Sequence, residues 1–445
     1  MNTNQVKETL DKYVMHTYGR YDLVLDHGHG SIVYDKEGNK YIDCVAGIAV
    51  NSIGHTHEKI AQTLSQQAKK LIHVSNLYYT EEQAEYAKRL VELSPHEKVF
   101  FANSGAEANE GAIKLARKYT GKSEIIAMKN SFHGRTLATI TATGQPKYQK
   151  GLDPLPQGFI HVDYNDIDQV KDAITENTAA ILVEPIQGES GVRVPDDDYL
   201  PQLRKICDEN GILLIFDEVQ TGFGRTGKFF ASELTNTVPD ITTCAKAIAG
   251  GLPMGVVLSS AKVASGFNPG DHASTFGGTA LVTAVASCVL DIYEEEDLVN
   301  KSKENGEYFM EKLANLKEKH DCIVDVRGHG LMVGVELNYD CGNLVEKAQE
   351  KGVLINVANG NVIRFVPPLV ITKEELTNRK NELYGYFSDL ECDGIKKSVD
   401  VDLSSKDSFK RYLIFTEYEY EKVLDRPIQY IDGYYKVTTR KRLIN

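Results

Sequence analysis

Two charged residues in the middle of the chain have surroundings that are unusual for charged side chains. Asp217 follows five apolar residues, Ile212 to Phe216, which predict a strand buried on both faces with its carboxyl end directed at a ligand. Lys246 lies in a run of small residues, 242–251, that contains no other charge. Because lysine side chains usually remain in water, a lysine in such a run indicates an amine with a shifted pKa.

Together, these two residues fit the chemistry of pyridoxal phosphate. A lysine amine forms a Schiff base with the aldehyde of that cofactor, and a carboxylate keeps the pyridine nitrogen protonated so that the ring accepts electrons. Each residue alone has a simpler explanation, since an aspartate also caps turns and a lysine also pairs with glutamates. The interpretation as a pyridoxal 5'-phosphate site therefore depends on the motifs around them.

Length and charge limit the class of protein. With 445 residues and 42% apolar side chains, the chain is predicted to be globular, with two or three domains. Its net charge of −13 argues against a nucleic-acid or anionic-membrane partner, because either would need a basic surface.

Further patterns bear on location and on metals. No apolar run approaches the ~20 residues of a membrane span, and the first residues lack the apolar core of a signal peptide. Seven scattered cysteines fit reduced thiols, so we expect a cytoplasmic protein. No metal site is predicted, because the histidine pairs with i, i+2 spacing have no third ligand in view: His27 with His29, and His55 with His57.

The elements that must position Asp217 and Lys246 alternate between strands and helices. Apolar segments predict strands, and helical patterns such as 107–119 and 199–209 separate them. This alternation predicts an α/β fold with a mainly parallel sheet covered on both faces. The predicted strands begin at Lys98, Glu124, Gly158, Ala179, Gly211 and Gly255.

The flanking segments predict a second, smaller α+β domain. Residues 1–45 predict a short helix and a strand meander, and residues 280–390 predict a long helix, several strands and further helices. We expect these two segments to form the small domain and residues 46–279 to form the large, cofactor-binding domain. Residues 391–445 have a different character and form a C-terminal extension, whose role we leave open.

A phosphate-bearing cofactor needs an anion site, and the start of one predicted helix supplies a candidate. Ser104, Gly105 and Ala106 lie between a strand and a helix, where free backbone N–H groups and a hydroxyl bind phosphate. The alternative is an ordinary serine that caps the helix.

Other strand ends add polar or aromatic residues. Phe132 offers a ring face for stacking, and Arg135 offers a guanidinium suited to a carboxylate. Glu184 and Glu189 follow another strand, and Arg364 is a candidate counter-ion for one of them. Because the carboxyl ends of parallel strands meet at one edge of a sheet, these side chains predict a single cleft.

Residues 222–228 offer an alternative function, because they match Gly-x-Gly-x-x-Gly and nearly match a nucleotide-binding loop. Phe229 replaces the hydroxyl residue of that loop, and Asp217 and Glu218 would crowd a pyrophosphate. A nucleotide-binding protein is therefore the remote alternative. In a third hypothesis the chain is an interaction scaffold whose residues 391–445 recruit a partner.

The ordered motifs between about residues 10 and 390 resemble those of the class III pyridoxal-phosphate aminotransferases. The resemblance implies fold type I, with a large domain built on a mainly parallel sheet and a small α+β domain. It also implies pyridoxal 5'-phosphate as cofactor and a homodimer with shared active sites. The resembling segments are 17–20, 47–55, 75–79, 103–110, 132–136, 184–191, 216–227, 245–251 and 271–278.

The resemblance also implies residue roles. Lys246 would bind the cofactor covalently and move a proton, and Asp217 would hold the pyridine nitrogen. The other implied cofactor-binding residues are Ser104, Gly105, Ala106, Phe132, His133, Val219, Gln220 and, from the partner subunit, Thr275. The implied substrate-binding residues are Arg135, Ser274, Glu189 and Arg364.

The implied substrates follow from the pair Glu189 and Arg364, which would close in one half-reaction and open in the other. One pocket would then accept both an amine side chain and the second carboxylate of glutamate. Within the family, the chain is most similar to members that transfer the terminal amino group of N2-acetyl-L-ornithine to 2-oxoglutarate by a ping-pong mechanism in arginine biosynthesis. Ornithine, succinyldiaminopimelate, succinylornithine and 4-aminobutyrate stay open as alternative donors.

Overall fold

The computed structural model describes residues 1–377, 429–431 and 434–436. The chain divides into two units, Met1–Leu390 and Glu391–Asn445. Within the second unit, two short strands, residues 429–431 and 434–436, pair antiparallel. The rest of that extension lies outside the described residues, and its recruitment of a partner stays a hypothesis.

Helices cover much of the first unit, and their ends follow local signals. Helix α5, for example, begins after Ser104, whose side chain caps it, and ends at Gly121, which has a φ of 70°. The α-helices are α1 Thr3–Tyr13, α2 Ala46–Ala49, α3 Glu58–Lys70, α4 Glu81–Glu92, α5 Gly105–Thr120, α6 Leu137–Ala142, α7 Pro146–Gln149, α8 Ile167–Ala173, α9 Tyr199–Asn210, α10 Ala261–Ala264, α11 Ala280–Glu295, α12 Leu298–Lys317, α13 Leu344–Glu350 and α14 Lys373–Thr377.

In the described part of the chain, the strands form one large sheet and three smaller ones. They are β1 Leu25–His29, β2 Ile32–Asp35, β3 Lys40–Asp43, β4 Lys98–Ala102, β5 Glu124–Met128, β6 Phe159–Val162, β7 Thr178–Val183, β8 Leu213–Asp217, β9 Ile241–Ala245, β10 Gly255–Ser259, β11 Ile323–His329, β12 Met332–Leu337, β13 Val353–Leu354, β14 Asn356–Ala358, β15 Val362–Phe365, β16 Gln429–Ile431 and β17 Tyr434–Lys436.

The large sheet has the strand order β4-β10-β9-β8-β7-β5-β6. Strands β9, β8, β7, β5 and β6 run parallel to one another, and β10 is antiparallel to both β4 and β9. The predicted mainly parallel sheet is therefore confirmed. As a result, the carboxyl ends of β4, β5, β7, β8 and β9 meet at one edge, where the loops carry the predicted site residues.

Helices cover both faces of this sheet. On one face, α5 packs small side chains such as Ala108 and Ala112 against the strands. On the other face, α9 packs Leu203 and Ile206 against β7 and β8, and every residue of β8 is buried. Burial of an aliphatic side chain contributes about 1.5–3 kcal/mol, so these faces hold the site edge rigidly.

The C-terminal part of the first unit contains the antiparallel sheet β11-β12-β15-β14. Strand β13 pairs in parallel with β3, which joins this part of the chain to the predicted N-terminal meander β1-β2-β3. The predicted division of the unit at residues 45/46 and 279/280 stays a prediction.

Several element predictions need correction. The strand β9 was not predicted, because Thr242-Thr-Cys-Ala lacks an apolar pattern. The helical run after residue 279 is two helices, since Asp297 between them has a φ of 52°. The sequence Thr80-Glu-Glu-Gln83 predicts a capping box before α4, but the side chain of Thr80 makes no capping hydrogen bond.

The expectation of reduced thiols is also only partly right. Among the described residues, Cys322 lies in a disulfide bond, whereas five cysteines are free and buried: Cys44, Cys207, Cys244, Cys288 and Cys341. No helix in the described part of the chain has the length and apolar character needed to cross a membrane.

Candidate active site

Asp217 lies at the end of β8, buried and hydrogen-bonded from several directions. Its Oδ2 accepts hydrogen bonds from His133 Nδ1 at 2.8 Å and from Asn109 Nδ2 at 2.7 Å. Its Oδ1 accepts one from the N–H of Val219 at 3.0 Å. Thr243 Oγ1 donates in turn to Asn109 Oδ1 at 2.7 Å. These donors replace water around the carboxylate and fix its orientation.

Lys246 follows β9 directly and has a φ of 54°, in the left-handed region that residues other than glycine rarely adopt. Backbone strain of this kind clusters at functional sites. Burial lowers the pKa of the Lys246 amine and Arg364 lowers it further, while the carboxylates of Glu189 and Asp217 oppose the change. The amine therefore loses its proton more readily than a surface lysine, as a nucleophile requires.

The start of α5 is the segment where the sequence predicts an anion site. Ser104 Oγ accepts a hydrogen bond from the N–H of Glu107 at 3.2 Å, so the capping alternative is also correct. The N–H groups of Gly105 and Ala106 come first in the helix and lack intrahelical partners. A Cβ on Gly105 would lie 2.7 Å from Val219, so glycine permits this close approach to the segment after β8. The helix start is therefore suited to a phosphate.

Phe132 follows β5, and its backbone is held by Glu184 at the end of β7. The N–H of Phe132 donates to Glu184 Oε1 at 2.8 Å, and the N–H of Gly188 donates to Glu184 Oε2 at 3.3 Å. Burial raises the pKa of the Glu184 carboxyl. Glu184 thereby joins the loop that carries Phe132 to the loop that carries Glu189.

Arg135 lies on the exposed side of the same loop. Its guanidinium carbon is 3.8 Å from the ring centroid of Tyr148 and 5.4 Å from that of Phe132. No described carboxylate forms an ion pair with it. The stacked side chain therefore remains able to bind the carboxylate of a small molecule with two parallel hydrogen bonds.

Glu189 and Arg364 form the predicted ion pair. Arg364 Nη1 donates to Glu189 Oε1 at 2.8 Å and to Gln220 Oε1 at 3.3 Å, while its Nε donates to Asn356 Oδ1 at 2.8 Å. The Arg364 side chain is 1% exposed and that of Glu189 is 23% exposed. Burial raises the pKa of the Glu189 carboxyl, but Arg364, Lys246 and Gln220 together lower it more, so the pKa lies below its usual value. The pair is closed in this conformation.

Ser274 and Thr275 lie on the loop before α11. Ser274 Oγ accepts hydrogen bonds from Asn103 Nδ2 at 2.9 Å and from the N–H of Gly277 at 3.0 Å. Thr275 is exposed, and the next side chain, Phe276, is 64% exposed. Within the described residues of this one chain, no hydrogen bond joins Thr275 to the other predicted site residues.

The nucleotide-binding alternative for residues 222–228 is wrong. All of these residues except Lys228 are buried. A Cβ on Gly227 would lie 3.0 Å from the backbone of Lys303 in α12. Arg225 donates hydrogen bonds to backbone carbonyls of two later segments. The glycines therefore allow close packing, and the loop leaves no space for a phosphate beside its N–H groups.

Three site residues escaped the sequence reasoning: Asn109, Thr243 and Asn356. Asn109 carries a usable signal, because it lies among the alanines of the buried face of α5, where an amide needs hydrogen-bond partners. Thr243 and Asn356 carry weaker signals, since polar residues at strand positions are common on exposed faces.

The donor set fits pyridoxal phosphate. The buried carboxylate of Asp217 suits a pyridine N–H, the start of α5 suits a phosphate, and the buried amine of Lys246 suits an aldehyde carbon. In addition, His133 Nε2 is buried without a hydrogen-bond partner, which leaves a donor or acceptor free for a bound group.

Comparison with known sequences supports this assignment. The profile of the family described as "Aminotransferase class-III" matches residues 13–384. An acetylornithine aminotransferase of Methanothermobacter thermautotrophicus is 54% identical over 390 residues, which are 88% of this chain and 100% of the relative. One from Methanocaldococcus jannaschii is 50% identical over 85% of this chain and 97% of the relative.

Solved structures of the same kind superpose on the chain. The ornithine aminotransferase of Toxoplasma gondii matches with a TM-score of 0.84 and 32% identity, covering 87% of this chain and 95% of that one. The acetylornithine aminotransferase of Elizabethkingia anophelis matches with a TM-score of 0.77 and 37% identity, covering 87% of this chain and 98% of that one.

Proposed function

Because the chain belongs to the class III aminotransferase family and is thus a pyridoxal-phosphate-dependent transaminase, we propose that it transfers the terminal amino group of N2-acetyl-L-ornithine to 2-oxoglutarate. The products are N-acetylglutamate semialdehyde and glutamate, in arginine biosynthesis. The pair Glu189–Arg364 beside Lys246 is the observation that carries the proposal. It equips one pocket for two different donors, and the relatives named above carry the same activity in their names.

At the cofactor end, the residues have constant tasks in this proposal. When bound, pyridoxal phosphate supplies an electron sink for the reacting carbon. Lys246 holds the cofactor and moves the proton at that carbon, and Asp217 holds the pyridine N–H. Phe132 and Val219 contact the two faces of the ring. The N–H groups at Gly105 bind the phosphate.

At the substrate end, two arginines divide the work. Arg135 binds the α-carboxylate of N2-acetylornithine when its terminal amine reacts. Arg364 binds the second carboxylate of glutamate or 2-oxoglutarate, and Glu189 covers Arg364 whenever that carboxylate is absent. Covering is needed because an unpaired buried guanidinium costs several kcal/mol. Ser274 lies near the substrate.

We also propose that the enzyme works as a homodimer in which Thr275 of the partner subunit binds the phosphate. The support is an exposed apolar surface beside the Thr275 loop, where Leu77 is 83% and Tyr78 is 69% exposed. Asn76 ties that segment to the loop through a hydrogen bond to Gly277 at 2.9 Å. Large exposed apolar patches mark protein–protein interfaces. A cytoplasmic location stays a prediction.

The cofactor assignment is tested by the absorbance spectrum of the purified protein and of Lys246→Ala, before and after N2-acetylornithine is added. We expect the donor to convert the wild-type spectrum to that of the amine form of the cofactor, and we expect Lys246→Ala to fail in this conversion because the proton carrier is absent. Borohydride reduction followed by peptide mapping should find the coenzyme on Lys246. Reduced coenzyme at another position would contradict the assignment.

The donor is tested separately, by kcat/KM for each candidate at a fixed 2-oxoglutarate concentration. We expect N2-acetylornithine to exceed ornithine, succinylornithine, succinyldiaminopimelate and 4-aminobutyrate. A higher value for free ornithine or 4-aminobutyrate would overturn the substrate assignment and leave transamination itself intact.

A further inference from the structure

The two ends of the loop that carries Glu189 are joined by backbone hydrogen bonds. Gln187 and Arg193 form an isolated antiparallel bridge, with N–H to carbonyl distances of 3.1 and 2.9 Å in the two directions. Residues 188–192 lie between these two ends. The carboxylate of Glu189 reaches Arg364, as described above.

A second arginine binds the backbone of the same loop. Arg327 Nε donates to the carbonyl of Val192 at 2.9 Å, and its Nη2 donates to the carbonyl of Gly191 at 2.7 Å. The remaining nitrogen, Nη1, faces Asp325 at 2.9 Å and Glu336 at 2.6 Å. The guanidinium is therefore oriented by carboxylates on one side and bound to the loop on the other.

The register of the small sheet places the two arginines in one row. Arg327 pairs with Gly334, Gly334 pairs with Arg364, and Arg364 pairs with Asn356, across four neighbouring strands. Directly paired residues of antiparallel strands project to the same face, so both arginines face the loop. Gly334 leaves room between them, since a Cβ there would lie 3.0 Å from the Cβ of Val192.

The backbone conformation of the loop fits these two hydrogen bonds from Arg327. Val192 has a φ of 51° and Gly191 a φ of 103°. A β-branched residue at positive φ is a strained conformation that persists only when its surroundings hold it. In an extended strand successive carbonyls point to opposite sides, whereas a helix-like turn directs them to the same side. The left-handed turn at Val192 thus allows both carbonyls to face one guanidinium.

We propose that Arg327 is a positioning residue for the Glu189 gate, an inference that rests on the proposed function. Arg327 holds the backbone of the loop still, so that opening and closing is confined to the Glu189 side chain. After each half-reaction with glutamate, the carboxylate then returns to Arg364. Without these hydrogen bonds, Glu189 pairs with Arg364 less often. The reaction with N2-acetylornithine then becomes slower. The reaction with glutamate is not slowed, because glutamate binds Arg364 only when Glu189 has left it.

The test compares two donors on the same pyridoxal form of the holoenzyme. Single-turnover absorbance gives kcat/KM for N2-acetylornithine and for glutamate. The donor ratio, kcat/KM for N2-acetylornithine divided by kcat/KM for glutamate, does not depend on the fraction of active protein. We expect Arg327→Met to lower the ratio by about tenfold, as for the loss of hydrogen bonds from a charged group. Arg327→Lys should lower it less, and it serves as the test if Arg327→Met does not fold. An unchanged ratio in the folded variants overturns the proposal.

Two further variants separate the possible causes. Asp325→Asn removes one carboxylate partner of Arg327 and leaves both carbonyl bonds, so its ratio should stay within about twofold of the wild type. Glu189→Gln should lower the ratio at least as much as Arg327→Met. If Glu189→Gln has no effect, the gate in the proposed function fails. If Glu189→Gln lowers the ratio and the Arg327 variants do not, only the role of Arg327 fails.

Discussion

The two ends of the site hold their carboxylates in opposite ways. At the cofactor end, Asp217 is 3% exposed and accepts hydrogen bonds from two side chains and one backbone N–H. At the substrate end, the Glu189 side chain is 23% exposed, and its described hydrogen bonds go to side chains alone, Arg364 at 2.8 Å and Gln220 at 3.4 Å. One carboxylate is enclosed, and the other is held mainly by one partner.

The difference follows the two tasks. Displacing Asp217 would leave several buried polar groups without partners, each at a cost of about 1–3 kcal/mol, so this carboxylate stays in place. Displacing Glu189 breaks mainly one ion pair, which an incoming substrate carboxylate can replace on Arg364. A constant electronic role needs the first arrangement, and alternation between two substrates needs the second.

The largest expected effect comes from neutralising the carboxylate of Asp217 at the cofactor end. Asp217→Asn should lower the rate with N2-acetylornithine and with glutamate alike, by about 10²–10³-fold, as for the loss of a preorganised electrostatic contact. Single-turnover rates with both donors measure this, and their ratio should stay unchanged. A loss confined to one donor would break the comparison between the two ends.

The enclosed end should also contribute to the pH dependence of stability. Burial raises the pKa of Glu218, the neighbour of Asp217, from 4.5 to about 7. The folded protein therefore holds more protons than the unfolded chain between these pH values, so this contribution to stability falls as pH rises through that window. The shift corresponds to about 3 kcal/mol.

Glu218→Gln removes this titration. The unfolding free energy of the variant relative to wild type should rise between pH 5 and pH 7, as measured by denaturant titration of the holoenzyme. Glu233→Gln is the control, because Glu233 also accepts a backbone hydrogen bond, from Phe230, in the turn that Glu218 caps. A parallel pH course for wild type and Glu218→Gln would refute the assignment.

At the substrate end, Arg364→Lys should change the half-reaction with glutamate and 2-oxoglutarate. A lysine keeps the charge but loses the planar fork, so KM for glutamate and 2-oxoglutarate should rise about tenfold. The KM for N2-acetylornithine should change less, because Arg364 is covered when that donor binds. Steady-state kinetics with each substrate varied in turn measure the difference, and equal changes for all substrates would remove the distinction between the ends.

The smallest effect should come from the hydrogen bond between Thr243 and Asn109 at the cofactor end. Thr243→Val keeps the shape of the side chain and removes the hydrogen bond to Asn109. We expect kcat to fall about fivefold with both donors, as for one buried hydrogen bond. A change in the donor ratio would show that the two ends are coupled through Asn109.

The fold could be predicted well where apolar patterns were strong. The six predicted strands of the large sheet are present, and the helices that cover them lie where periodicity placed them. Strand β9 was missed because a Thr-rich strand between two buried neighbours has no alternation to recognise. Its burial arises from the strands on either side, which is information that local sequence lacks.

The sequence by itself determined the chemically distinctive residues, because Lys246 among small residues, Asp217 after an apolar strand and Ser104 before a helix are local patterns. Only the tertiary structure decided which residues serve them. Asn109 reaches Asp217 across 108 positions, and Arg327 and Arg364 share a row through Gly334. Such contacts depend on sheet register and loop conformation, which no local pattern of residues specifies.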